Sequence, residues 1–219
     1  MTDASIVSKG RRGDSLSVCN YCGYGLKESQ DRCAHCGAEA GDRYLWTLVS
    51  KLGLLRAGSY VLHYRPKAVV ARRFAAVLGT YYHPCGPSGF DAEGFPIQPY
   101  TFDPAKDAGQ LSSSFYGLIL ANEGLESLGE SFPDALTNFG QALQPGGSLI
   151  FGGGFVDSPS ILGPKPSAGA LATLLRRTLG SDCRVKGSER ISRSELQSIG
   201  VARTDVDRLT PRTLFWYQS

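Results

Sequence analysis

The sequence predicts an α/β fold, an open sheet covered by helices, with a small cysteine knuckle appended at its N-terminus. Three observations carry that prediction. Residues 59–78, SYVLHYRPKAVVARRFAAVL, read as a buried strand, a tight turn and an amphipathic helix in direct succession, the first βα unit of such a sheet. Residues 115–121, FYGLILA, are apolar without alternation, as a strand is when helices cover both its faces. Ahead of both stand two C-x-x-C pairs, Cys19/Cys22 and Cys33/Cys36, separated by ten residues.

In chain order, residues 1–15 are polar and aperiodic and read as a tail without chemistry. Residues 16–40 form the knuckle. Each C-x-x-C pair aims two thiolates at one point, and the glycine after each pair, Gly23 and Gly37, lets the backbone turn behind the sulfurs. Four thiolates close a tetrahedral shell around Zn²⁺ and leave no open position for water, so Cys19, Cys22, Cys33 and Cys36 read as a structural zinc site. An iron–sulfur or rubredoxin-like iron site is the alternative. With four sulfurs at hand, His35 points outward. Residues 41–58 carry Leu45, Leu48, Val49 and Leu52 at helical spacing beside Trp46, a helix that docks the knuckle onto the body. Gly53 and Gly58 flank the link into the first strand.

Residues 59–219 make the α/β body. Tyr60, Val61, Leu62 and Tyr64 fill the first strand, and Pro66 suits the first helical position, where no N–H is needed. Val70, Phe74, Val77 and Leu78 mark one helix face, which Gly79 terminates. Residues 80–83 give a second strand, followed by a turn-rich loop from Pro84 to Gly89. Residues 97–102 supply a third strand, which Pro99 assigns to an edge. After the apolar strand at 115–121, a helix starts near Pro133 and Asp134, buries Leu136, Phe139 and Leu143, and stops at Pro145-Gly146-Gly147. Residues 148–151 form a further buried strand and run into three glycines. Residues 157–169 read as an exposed loop, Leu171, Leu174, Leu175 and Thr178 as a helix, and Ser192 with Glu195 as a capping box. Residues 201–206 and 213–217 close the sheet as a pair of strands.

At 219 residues and 42% hydrophobic content the chain builds one α/β domain plus a small appendage. A net charge of +3, with its arginine pairs scattered (Arg11, Arg12, Arg176, Arg177), does not favour nucleic acid as a partner. No apolar stretch approaches the roughly 20 residues that cross a bilayer, and the N-terminus lacks the apolar core of a signal peptide. The expected compartment is the cytoplasm, where close cysteine pairs bind metal rather than form disulfides.

Together the segments resemble the class I S-adenosylmethionine-dependent methyltransferases, and more specifically a bacterial methyltransferase-like group with an N-terminal zinc knuckle. CAHCGAEAGDRYLWTLVSKL is similar to that group's knuckle and Arg-containing helix, with Arg43 at the basic position. YVLHYRPK resembles its first-strand motif, and FYGLILANEGLESL its fourth-strand motif, with Leu125 and Glu126 as the Leu-Glu pair. LQPGGSLIF is similar to the Pro-Gly-Gly turn before strand five, and GSDCRVKG to a C-terminal segment that places Asp182, Arg184 and Gly187. The match runs from about residue 19 to residue 217.

This resemblance implies a Rossmann-like sandwich that transfers methyl from S-adenosylmethionine to an acceptor the sequence does not name. It puts His63, Tyr64 and Arg65 after strand one, Asp103 after strand three and Asn122 after strand four as cofactor contacts. Glu123 becomes the first candidate base and His63 the second, with Glu126 a further carboxylate at that edge. The chain departs from the family at Cys85, where an acidic residue holds the ribose, at Gly117 and at Ser127. It also has His63-Tyr64-Arg65-Pro66 where most members have a glycine-rich turn. These departures sustain a second reading, a catalytically silent binding or scaffold protein of the same fold. Structural roles stand beside the chemical ones: His63 as a hydrogen-bonded strand-end residue, Asp103 as the cap of the turn before Pro104, Arg65 as a surface cation at a helix start.

Overall fold

The apolar runs that lack alternation lie side by side at the middle of the sheet. β3 (Tyr60–Tyr64) and β6 (Tyr116–Ala121) pair in parallel, with Leu62 opposite Ile119 and His63 opposite Leu120. The computed structural model describes residues 17–27, 30–86, 100–101, 103–121, 128, 130–151, 173, 176–178, 191–201 and 215–218. In it β4 (Tyr82–Gly86) and β5 (Tyr100–Thr101) extend the sheet on one side, β7 (Leu143–Phe151) and β8 (Phe215–Gln218) on the other, in the order β5-β4-β3-β6-β7-β8. All neighbours are parallel except β8, which runs antiparallel to β7 with Phe215 opposite Phe151. The chain first builds outward from β3 through β4 to β5, then crosses over to β6. The carboxyl ends of β3 and β6 therefore mark the topological switch point, where open α/β sheets hold ligands.

Alternate strand residues serve two cores. Val61, Leu118, Leu120 and Ile150 pack with Leu45, Leu48 and Val49 of α1 (Ala40–Lys51) and with Val70 and Phe74 of α2 (Ala68–Leu78). Leu62, Tyr64, Ile119, Leu149 and Phe151 face the other way, onto Phe132, Leu136 and Phe139 of α3 (Phe132–Ala142). Each fully enclosed phenylalanine contributes about 1.5–3 kcal/mol relative to leaving it in water.

Several boundaries shift from the expected ones for identifiable reasons. Lys67 is the N-cap of α2, so Pro66 lies just outside the helix rather than at its first position. Val77 is 51% exposed; the apolar face of α2 narrows to Val70, Ala71 and Phe74. A 3-10 turn over Gly79–Tyr81 delays the second strand, which then includes Pro84 and Cys85. Proline is tolerated there because the Cys85 carbonyl faces β3, accepting the Arg65 N–H at 2.7 Å, which turns the Pro84 nitrogen to the opposite side. β7 begins at Leu143, and the Pro-Gly-Gly segment forms an irregularity inside it, between the Tyr116–Leu143 and Leu118–Ser148 pairs. Glycine suits position 147, where a Cβ would meet the carbonyl oxygens of Gln144 and Tyr116 at 2.8 and 3.0 Å.

The knuckle carries a two-stranded antiparallel ladder, β1 (Ser17–Val18) with β2 (Gly25–Leu26). Its Cys19, Tyr21, Leu26 and Cys33 belong to the same buried cluster as α1, α2 and the sheet. Ile191, Leu196 and Val201 join that cluster from the segment carrying α4 (Arg193–Ser198), whose start has the expected Ser192–Glu195 capping box. Ser17 Oγ donates to the Gln197 carbonyl at 2.8 Å, and Lys51 Nζ pairs with Glu195 at 2.6 Å. Among the described residues no helix is long and apolar enough to cross a membrane. The expected loops at 87–89 and 157–169, the three glycines, and the strand at 201–206 beyond its first residue lie outside the described residues, as do Asn122, Glu123, Glu126, Ser127, Asp182, Arg184 and Gly187.

Candidate functional site

Two places concentrate chemistry, the cysteine knuckle and the carboxyl edge of the sheet. In the knuckle, the Sγ atoms of Cys19, Cys22, Cys33 and Cys36 all lie within 4.8 Å of one another. Cys19 and Cys36 approach to 3.6 Å, Cys22 and Cys33 to 3.7 Å. A tetrahedron with metal–sulfur bonds of about 2.3 Å has edges of about 3.8 Å, so the spacing fits a four-thiolate metal centre. The backbone repeats itself around it. Gly23 and Gly37 take φ of 76° and 79°, and their N–H groups donate to the Cys19 and Cys33 carbonyls at 2.8 and 2.9 Å. That left-handed turn is what the glycine after each pair supplies.

Backbone amides also point at the sulfurs. Burial opposes ionisation of Cys33, yet the amides of Cys36 and His35, with hydrogen bonds from the Cys36 and Cys22 thiols, outweigh it and bring its thiol down to about 7. Burial pushes the Cys22 and Cys36 thiols up, against amides donated by Tyr24 and Ala38. Four thiolates this close would repel one another unless a cation lay among them, which is the environment that such a cluster could offer to a metal. The His35 ring stacks on Tyr24 at the knuckle surface, centroids 5.6 Å apart.

At the sheet edge, β3 delivers Tyr64, Arg65 and Pro66. Tyr64 is 3% exposed and its ring packs beside Phe139. Burial raises its phenol above the usual range, while the nearby Arg65 cation and a hydrogen bond from it act in the opposite sense; Asp103 and Cys85 lie close enough to be felt electrostatically. Arg65 has φ of 49°, a left-handed conformation that glycine adopts without strain and other residues at about 1–2 kcal/mol. The turn expected to hold glycine thus keeps the glycine-type backbone and places a cation on it.

Asp103 stands beyond β5 in a turn of its own making. Its Oδ1 accepts the Ala105 N–H at 3.0 Å and its Oδ2 lies 3.2 Å from Lys106 Nζ. These partners, the Ala105 amide first, hold its carboxyl below the usual range. Cys85, at the end of β4, is buried, and burial pushes its thiol up.

His63 goes elsewhere. It is 0% exposed on the opposite face of β3 from Tyr64, its Nδ1 3.0 Å from the Tyr82 hydroxyl and its ring edge-on to Phe74. Arg65 therefore hydrogen-bonds Tyr64, Asp103 is near enough to Tyr64 to be felt electrostatically, and His63 lies on the other face of the strand.

Two sets of contacts escaped the sequence reading: the partners of Arg43, which the resemblance places only at a basic position, and those of Lys67. Arg43, 0% exposed, donates from Nη1 to the carbonyls of Asp31 and Ala38 at 3.0 and 2.7 Å, and from Nη2 to those of Gln30 and Gly200 at 3.3 and 2.9 Å. Lys67 Nζ lies 2.9 Å from Glu39 Oε2 and 3.7 Å from Asp42 Oδ1. A local signal existed only for the second set: Glu39 and Asp42 have the spacing of a helix capping box, which they form.

No protein-family model matches the chain, and no curated protein matches it in sequence. Its fold does match solved structures. An S-adenosylmethionine-dependent methyltransferase from Mesorhizobium loti is similar at a TM-score of 0.56 and 14% identity, over 80% of this chain and 98% of that one. The CurJ carbon methyltransferase is similar at 0.53 and 15%, over 81% of this chain and 52% of its own, so the present chain spans about half the length of that match. The [4+2]-cyclase SpnF is similar at 0.53 and 13%, over 93% of this chain and 85% of that one. The expected fold class is therefore the observed one, a Rossmann-like class I methyltransferase sandwich with a cysteine cluster near its N-terminus.

Proposed function

We propose that the protein is an S-adenosylmethionine-dependent methyltransferase of the cytoplasm with a structural zinc ion in its knuckle. The observation that carries this reading is the Tyr64–Arg65 pair, with Asp103 near enough to act on Tyr64 electrostatically, at the carboxyl edge of a sheet with the class I strand order. When bound, S-adenosylmethionine supplies an activated methyl group for in-line displacement, a reaction in which positioning does much of the work. Asp103, kept ionised by its turn, accepts hydrogen bonds from vicinal hydroxyls. Arg65 offers a planar fork donor for a carboxylate. Glu123 remains the candidate base at the end of β6 and Asn122 a candidate polar contact beside it. His63, enclosed on the other face, positions β3 against β4 through Tyr82. The closed four-sulfur shell leaves no site for substrate, which makes the zinc structural rather than catalytic.

A catalytically silent protein of the same fold is the second reading. What favours it is Arg65 itself: a side chain stands on the left-handed residue of the loop and hydrogen-bonds Tyr64, where a nucleoside approaches bare backbone in a glycine-rich turn.

Calorimetric titration of the metal-loaded protein with S-adenosylhomocysteine separates the two. The enzyme reading expects micromolar binding that weakens about tenfold or more in Asp103→Ala, the loss of one or two charge-assisted hydrogen bonds. Absence of heat at millimolar ligand, with metal present and the protein folded, overturns it and leaves the scaffold.

A further inference from the structure

The loop after β3 is fastened at both ends, and one fastening lies in the knuckle. At its start, the Arg65 N–H donates to the Cys85 carbonyl of β4 at 2.7 Å. At its end stands Lys67, whose carbonyl accepts the Ala71 N–H at 2.9 Å as the N-cap of α2. The Lys67 ammonium turns back to Glu39 and Asp42, at 2.9 and 3.7 Å. Both carboxylates belong to the start of α1, which follows directly on the last cysteine pair. Glu39 follows Cys36 by three residues and is the N-cap of α1; Asp42 is 1% exposed and accepts the Glu39 N–H at 2.9 Å. Between them and the sulfurs lies Ala38, whose amide points at the Cys36 sulfur and whose carbonyl accepts both the Cys33 N–H, at 2.9 Å, and Arg43 Nη1, at 2.7 Å.

We infer that the metal knuckle braces the ligand loop: Lys67 is a positioning residue that transmits the order of the four-cysteine centre to residues 64–67 at the sheet edge. An emptied knuckle relaxes the backbone from Cys33 to Glu39, and the carboxylates that hold Lys67 relax with it. Linkage makes the effect reciprocal, so a ligand that orders the loop slows loss of the metal. The Lys67–Glu39 contact is half-exposed, which limits the coupling to about two- to fivefold.

Hydrogen exchange on the full chain, metal-loaded and after chelator treatment, tests the brace without any ligand. Stripping the metal is expected to speed exchange of the Arg65 and Ala71 amides two- to fivefold in the wild type. Lys67→Met produces the same acceleration with metal present and shows no further one when stripped, and Lys67→Arg restores protection. Unchanged Arg65 exchange in the stripped wild type, or full additional acceleration in stripped Lys67→Met, overturns the inference. Should Lys67→Met fail to fold, Glu39→Gln removes the same ion pair from the knuckle side and is read identically.

A second arm rests on the proposed cofactor cleft. S-adenosylhomocysteine should slow metal release to a chromogenic chelator two- to fivefold in the wild type and not in Lys67→Met. Binding without slower release overturns the coupling. If the compound does not bind, the cofactor reading falls and the exchange arm alone decides the brace.

Discussion

Replacing Arg43 by methionine isolates what one buried guanidinium does for this fold. Methionine keeps the apolar stem and removes the donors that Asp31, Ala38, Gln30 and Gly200 share. The bonds to Ala38 and Gly200 are buried, whereas those to Asp31 and Gln30 are part-buried, where water replaces a lost donor. The Gly200 carbonyl is orphaned at about 1–3 kcal/mol, and the Ala38 carbonyl, which keeps the Cys33 N–H, loses one of two bonds at about 1 kcal/mol, for a total loss of about 3 kcal/mol, since the desolvation relieved by removing the cation is largely offset by methionine's looser fit. For a chain of this size that corresponds to a fall in Tm of about 6–12 °C. Urea unfolding of metal-loaded wild type and Arg43→Met, with equal slopes, measures it. Because the Gly200 bond joins α1 to the segment around α4, proteolytic cutting within residues 191–201 should appear before global unfolding. A loss below about 1 kcal/mol, with no new cutting there, would refute the reasoning, since it would mean that water already serves these carbonyls.

The remaining expectations concern the metal, pH and His63. Protein made in zinc-replete medium should carry a single tightly held zinc per chain by elemental analysis, and Cys33→Ala should lose it; retention by that variant, or iron in its place, removes the structural zinc. Lys51, with the Ser192 amide and hydroxyl, lowers the Glu195 carboxyl to about 2, so its contribution is present above the unfolded-chain value near 4.3 and is lost as pH falls toward 2. An NMR titration should find that low midpoint in the wild type and one raised part of the way toward the ordinary value in Lys51→Met, where the Ser192 amide and hydroxyl remain. His63→Phe strands the buried Tyr82 hydroxyl and should cost about 1–3 kcal/mol, while Tyr82→Phe added to it costs little more. Ligand affinity should stay level across that pair; a specific loss in His63→Phe would return His63 to the cleft.

Much of the molecule was legible because its signals are local. The C-x-x-C pairs with their glycines, the unalternating strands at 60–64 and 116–121, the capping box at Ser192 and Glu195, and the apolar face of α3 each depend on residues within one or two turns of each other. Where local reading slipped, a neighbour in space had changed the rule. Pro84 looks like a strand breaker until β4 is known to turn its nitrogen away from β3, and residues 143–147 look like a stop until Tyr116 is found paired with Leu143.

The sequence by itself determined which four cysteines converge, the βα succession and the place of the candidate edge, since spacing fixes which thiols meet and periodicity fixes which faces are buried. Only the tertiary structure decided which core each face of β3 meets, and so sent His63 to Phe74 and Tyr82 while leaving Tyr64 beside Arg65 and within the electrostatic reach of Asp103. It also decided that Arg43 would reach Gly200 and that Lys67 would reach Glu39, partners 157 and 28 residues away in the chain. Contacts at such separations carry no periodic signature. They exist because the chain crosses over at β3 and returns its late segment to the knuckle, and a buried cation there must be met by whatever carbonyls that return provides.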